Sequence, residues 1–202
     1  MTATSSSADA PRSDGVRFGL TIVSVAAGQL VDQPVEALIA AGNSRGLLGA
    51  GPAGALRSAA GVEPEREARA GAPHELGTAF MTSAGALAGR GILNLVHAVV
   101  SVGLGEPPRP SAIPTALAAA LELSRTARHH AIALPIIGAS AEAPVEDRLA
   151  AAEIVIETLV AHLRTKGSRP ERAILVSRFD DDLAQLTALV TRARERLWTG
   201  PV

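Results

Sequence analysis

Apolar residues along the chain fall into short, β-branched runs that alternate with longer stretches in which they return every three or four positions. Residues 16–26, VRFGLTIVSVA, read as one strand. After the break Asp32-Gln33-Pro34, residues 35–41, VEALIAA, read as a second, buried strand. A glycine-rich stretch, 42–54, leads into a short Ala/Leu helix ending near Gly61, and 63–70 predicts one or two further helical turns. Residues 76–84 and 92–100 are the next strands, separated by the turn-rich GALAGRG. Pro107, Pro108 and Pro110 mark a loop, and Ser111 is placed to cap a helix carrying Ile113, Leu117 and Leu121 that ends by His129. Residues 131–137 are a short apolar strand.

Beyond the loop GASAEAP, residues Val145, Leu149, Ala152, Ile156, Leu159 and Leu163 form one helical stripe. Glu146 and Asp147 suit its first turn, Arg164 and Lys166 its last, and Gly167 its stop. A last strand, 173–177, precedes a terminal helix bearing Leu183, Leu186, Val190 and Leu197. Strands alternating with helices predict an α/β domain with helices on both faces of a largely parallel sheet. In such sheets ligands sit beyond the carboxyl ends of the strands, which singles out the loops 41–54 and 138–144.

Composition narrows the function classes. The 202 residues hold 19 basic and 20 acidic side chains for a net charge of −1, so no global field draws the protein to nucleic acid or to an anionic membrane. Cysteine is absent, which removes disulfides, thiolate nucleophiles and cysteine zinc sites and fits a cytoplasmic location. No stretch is long and apolar enough to span a membrane, and residues 1–15 read as a polar tail before one domain over 16–202. The Ala/Arg/Gly bias suggests a bacterial source.

The candidate chemistry is sparse. Gly49-Ala50-Gly51-Pro52-Ala53-Gly54 fits G-x-G-x-x-G and opens a helix, so it is either a plain turn or a cradle of backbone amides for a pyrophosphate. The glycines begin several residues after the strand, and no acid ends a strand about twenty residues on, which argues against a dinucleotide-binding Rossmann unit. Asn43 either satisfies turn backbone or bonds a ligand hydroxyl. The five histidines have no metal spacing, so no metal or other cofactor is assigned; His97 reads as a hydrogen-bonded core histidine, and His129-His130 as a favourable charge at a helix end. No G-x-S-x-G elbow is present, Ser140 lacks triad partners, and Asp180-Asp181-Asp182 reads as a helix cap.

Taken in order, several segments resemble the macro domain family. AGQL at 27–30 stands where that family has G-D-I, VEALIAAGN at 35–43 resembles V-D-A-I-V-N-A-A-N, and GAGPAGALRSAAG at 49–61 resembles G-G-G-V-D-G-A-I-H-x-A-A-G. ILNLVHAVV is similar to the family's V-I-H-x-V-G-P strand, and ALPIIGASAEAP to its A-F-P-x-I-S-T-G-x-x-G-x-P loop. The resemblance implies a three-layer α/β/α sandwich with a mixed sheet and a cleft for ADP-ribose or a related nucleotide, free or carried on an ADP-ribosylated protein.

Carried over by position, the resemblance implies that Gln29 lies by adenine, Phe179 packs by the adenosine and Asn43 contacts the distal ribose, with Leu30 and Ala41 also among the ligand-binding positions. The diphosphate falls to Gly49, Ala50, Gly51 and Gly54 and to Gly138, Ala139, Ser140, Ala141 and Glu142. Gln29 replaces an acid but can still donate and accept at a base edge. Pro52 lacks an amide donor, and Glu142 brings a carboxylate towards the phosphates. Ala53 stands where a hydrolytic branch of the family has an aspartate, so the resemblance favours binding without efficient hydrolysis. Two alternatives stay open: an ADP-ribosyl hydrolase using Asn43 and a substrate-assisted water, and a degenerate fold serving as a protein-interaction module.

Overall fold

A computed structural model describes residues 14–49, 51–140, 142–164 and 169–199. Seven strands form one sheet: β1 (Val16–Phe18), β2 (Thr21–Ala27), β3 (Ala37–Asn43), β4 (Ala79–Ser83), β5 (Asn94–Ser101), β6 (Ala131–Pro135) and β7 (Arg172–Ser177). Their order is β1-β2-β7-β6-β3-β5-β4. The five central strands run parallel, while β1 and β4 pair antiparallel with their neighbours and close the two edges.

Alternate residues of each central strand enter different cores, as the two-residue strand period requires. Ile39, Val96, Ala98, Val100, Ile132 and Leu175 face α3 (Ile113–Thr126), α4 (Val145–Leu163) and α5 (Leu183–Leu197), with α4 lying between the other two. Leu38, Ala40, Leu95, Ala133 and Ile174 face the opposite side, where Leu56 and Ala60 of α1 (Gly51–Ala60) cover them. The acidic-basic α2 (Glu63–Ala70) packs beside β4. The sheet is therefore mixed, mostly parallel and covered on both faces. Among the described residues no helix is long and apolar enough to cross a membrane.

Several expectations change in detail. The run 16–26 is two strands in a hairpin, because the chain turns at Gly19-Leu20 and Val16 pairs with Val23. The edge of the sheet so formed is held by Phe18, whose ring meets Trp198 edge-on at 5.6 Å. Ser111 caps nothing: it lies in a 3-10 turn, Pro110–Ala112, and α3 continues directly from that turn. Lys166 and Gly167, expected to end α4, lie outside the described residues; the helix stops at Leu163 with Arg164 as its cap. The tail expected over 1–15 likewise falls outside them up to residue 13.

The histidine pair is also corrected. His129 does not offer a positive charge to a helix end; it is 2% exposed, and burial pushes its pKa below the ordinary range. Its Nε2 faces Asn94 Oδ1 at 2.9 Å and its Nδ1 faces Ser124 Oγ at 3.0 Å, an arrangement that suits the neutral ring.

Candidate functional site

Because β2, β7, β6, β3 and β5 run parallel, their carboxyl ends Ala27, Ser177, Pro135, Asn43 and Ser101 share one edge in that order. Every described residue that the resemblance assigns to a ligand lies at this edge. Gln29 and Leu30 follow β2, Phe179 follows β7, the 138–144 loop follows β6, Ala41 and Asn43 close β3, and Gly49 leads into α1. Ala50 and Ala141 lie outside the described residues. Gly51 begins α1 and Gly54 lies in its first turn, so the positive end of the helix faces this edge.

The ends of β2 and β7 are joined by Gly28 N–H donating to Ser177 O at 2.8 Å. Gln29 is exposed, and its carbonyl accepts from Gln33 Nε2 at 3.0 Å. Gly138 has φ +123°, and a Cβ there would meet Ile113 Cδ1 at 3.0 Å and Ala151 Cβ at 3.3 Å, so the loop lies tight against α3 and α4. Ser140 O accepts from Ala143 N at 3.2 Å, and Ala139 is half-buried while Ser140 and Glu142 are exposed.

Asn43 is 6% exposed and organises the turn that follows β3. Its Oδ1 accepts from Arg45 N at 3.1 Å and Leu47 N at 3.2 Å, and its Nδ2 donates to Leu47 O at 2.8 Å. The turn is tied sideways to β5 by Ser44 N–H donating to Ser101 O at 2.9 Å.

The expected aspartate cap before α5 has a different structure. Asp180–Asp182 form a 3-10 turn with no side-chain cap bond, and Asp182 turns inward to 4% exposure. There it accepts from Ser177 Oγ at 2.8 Å and pairs with Arg148. Burial opposes its ionisation, but the hydrogen bonds from Arg148 and Ser177 outweigh that and hold its carboxyl below the ordinary aspartate range.

Arg148 lies beside the same candidate edge, bonded to Asp182 and to the Ala143 carbonyl, and the sequence reasoning missed it. Its signal was electrostatic: an arginine in the first turn of a helix opposes the dipole, and such a residue calls for a partner.

A cleft of about 430 Å³ lies elsewhere, at the amino ends of β3, β6 and β7, between Glu36, Arg90, His130, Glu171 and Arg172. Its charged groups are already engaged: Arg90 with Asp32, His130 with Glu171, and Arg172 with the Pro34 carbonyl. The topological switch and the glycine loops favour the carboxyl edge instead. Among the described residues no group of three or more His, Asp or Glu side chains is arranged to hold a metal ion.

Residues 39–152 match the Macro domain family. An uncharacterized protein of Aeropyrum pernix is 32% identical over 168 residues, covering 81% of this chain and 82% of its own length. The chain belongs to the macro domain family. Another uncharacterized protein, from Aquifex aeolicus, is 34% identical over 119 residues, 57% of this chain and 68% of its own.

Among solved macrodomains, a mutant from Oceanobacillus iheyensis with ADPR superposes with a TM-score of 0.73 at 20% identity, covering 92% of this chain and 100% of that one. The same organism's macrodomain with ADP gives 0.68 at 19% identity, with 94% and 98% covered. The Trypanosoma brucei macrodomain in complex with ADP-ribose gives 0.69 at 20% identity, with 83% and 68% covered. At these identities the likeness establishes the macrodomain fold.

Proposed function

We propose that this macrodomain binds ADP-ribose or a related nucleotide diphosphate at the carboxyl edge of the sheet and holds it without efficient hydrolysis. The observation that carries the reading is the alignment of the glycine loop into α1, the 138–144 loop and Phe179 along that one edge. An extended ligand would lie across β7, β6 and β3, with its base against Phe179 and its diphosphate between two loops whose backbone N–H groups can donate. The ADP-ribose and ADP in the names of the structural neighbours support the same ligand class.

The reading of inefficient hydrolysis rests on Ala53, which can neither take a proton nor orient water. An ADP-ribosylated protein would present the same group at the cleft mouth, making the domain a reader of that modification. Calorimetric titration with ADP-ribose, with ADP, NAD and a sugar nucleotide at the same salt, tests the reading. Micromolar binding weakened by Phe179→Ala is the expected result; no heat and no thermal shift with any of them would remove the function from this cleft.

A further inference from the structure

Arg148 ties together two parts of the cleft edge. From α4 it donates through Nε and Nη2 to Asp182 Oδ2 and Oδ1 at 3.2 and 2.7 Å, and through Nη1 to the Ala143 carbonyl at 2.8 Å. The same guanidinium lies over the Phe179 ring, with Cζ 4.7 Å from its centroid. Asp182 is fixed in turn by Ser177 Oγ, an oxygen that also accepts the Phe179 N–H at 3.2 Å. One side chain thus grips the loop after β6, the 3-10 turn that leads into α5 and the aromatic after β7. Phe179 remains 37% exposed, so a ligand can still reach the ring past the guanidinium.

We propose that Arg148 is a positioning residue that locks the base-stacking ring and the 138–144 loop into one wall, so that the two halves of a nucleotide diphosphate bind cooperatively. The inference rests on the nucleotide reading of the cleft given above. Arginine suits the task because its planar fork meets a carboxylate at two points and still reaches a carbonyl and a ring face, whereas a lysine offers a point charge. Since Asp182 neutralises it, Arg148 acts through geometry rather than by attracting the phosphates. Keeping the charge while losing the fork should therefore be as harmful as losing both.

The test compares affinities for ADP-ribose and AMP in the wild type, Arg148→Lys, Arg148→Met, Phe179→Ala and the Arg148/Phe179 double variants, each checked for folding by thermal unfolding. Losing charge-assisted hydrogen bonds that order the wall should weaken ADP-ribose about tenfold in both Arg148 variants. The effect of Phe179→Ala, also about tenfold on the wild type, should shrink to under about threefold when Arg148 is absent, because coupled residues are not additive. AMP, which spans less of the wall, should lose less. If Arg148→Met does not fold, Arg148→Lys carries the same comparison. Wild-type affinity in a folded Arg148 variant, or independent effects of the two residues, would overturn the coupling and leave the nucleotide reading standing. A wild type that binds none of the nucleotides would overturn both.

Discussion

Asn43 and Leu47 hold one another twice: the asparagine Nδ2 donates to the Leu47 carbonyl at 2.8 Å while its Oδ1 accepts the Leu47 N–H at 3.2 Å. This small ring shapes the turn that delivers the chain from β3 towards the glycine loop. Asn43→Ala should cost about 1–3 kcal/mol in chemical denaturation, since buried partners lose their bonds. Asn43→Asp keeps the acceptor but sets a carboxylate oxygen against a carbonyl, so it should destabilise by a similar amount. An Asn43→Ala protein as stable as the wild type would show that the turn is held by other contacts.

His97 is fully buried in β5, stacked on Phe80 at 4.6 Å, which is itself stacked on His74 at 3.6 Å. Its Nε2 meets Thr82 Oγ1 at 3.0 Å, while its buried Nδ1 has no hydrogen-bond partner. Burial, helped by the His74 charge and resisted by Glu67, lowers its pKa from 6.5 to about 4. The unfolded chain therefore takes up a proton between these values that the folded chain refuses. Stability from this group is complete above pH 6.5 and is lost as the pH falls to about 4, on the order of 3 kcal/mol in all. His97→Gln keeps a donor for Thr82 and does not titrate, so its denaturation midpoint should vary less over that window. An equally steep pH dependence in the variant would place the titration on another group.

Gly46 sits inside the Asn43 turn at φ +65°, and a Cβ there would lie 2.6 Å from the backbone carbon and oxygen of Ala68. The β3 turn is thus pressed against α2 backbone that cannot swing aside. Gly46→Ala should destabilise by at least about 2 kcal/mol, combining left-handed strain with overpacking. Equilibrium unfolding gives the figure directly, and a loss below about 0.5 kcal/mol, the range of ordinary surface substitutions, would mean that α2 shifts easily.

Glu142 is exposed at the loop proposed for the diphosphate. Glu142→Gln should tighten ADP-ribose by a few-fold at low salt, and the gain should fade near 0.15 M salt as screening shortens the reach of an exposed charge to about 8 Å. Unchanged affinity at both salts would mean that the carboxylate points away from the phosphates.

The order of strands and helices was legible because apolar periodicity survives in nearly every element, from the Val/Ile runs of β2 to the long stripe on α4. Where the reading slipped, a tertiary partner overrode a local rule. The Asp180–Asp182 run looks like a cap, yet Asp182 finds an arginine 34 positions away and turns inward. His129 stands at a helix end but is claimed by Asn94 across the fold. The break at Gly19 is hidden inside an apolar run, and only the pairing of Val16 with Val23 reveals it. At the carboxyl edge, sequence pointed to the loops; the contacts of Arg148 with Phe179 and Ala143 depended on three segments meeting in space.

The contact of Phe18 with Trp198 decides what light can report about this molecule. Trp198 is the sole tryptophan, and it follows α5 where that helix has run back along the sheet, beside the β1–β2 turn and away from the carboxyl ends. Its emission should track the detachment of the hairpin and the final helix, and stay nearly silent when a ligand enters the cleft. Intrinsic fluorescence is thus a clean gauge of unfolding here and a blind one for binding.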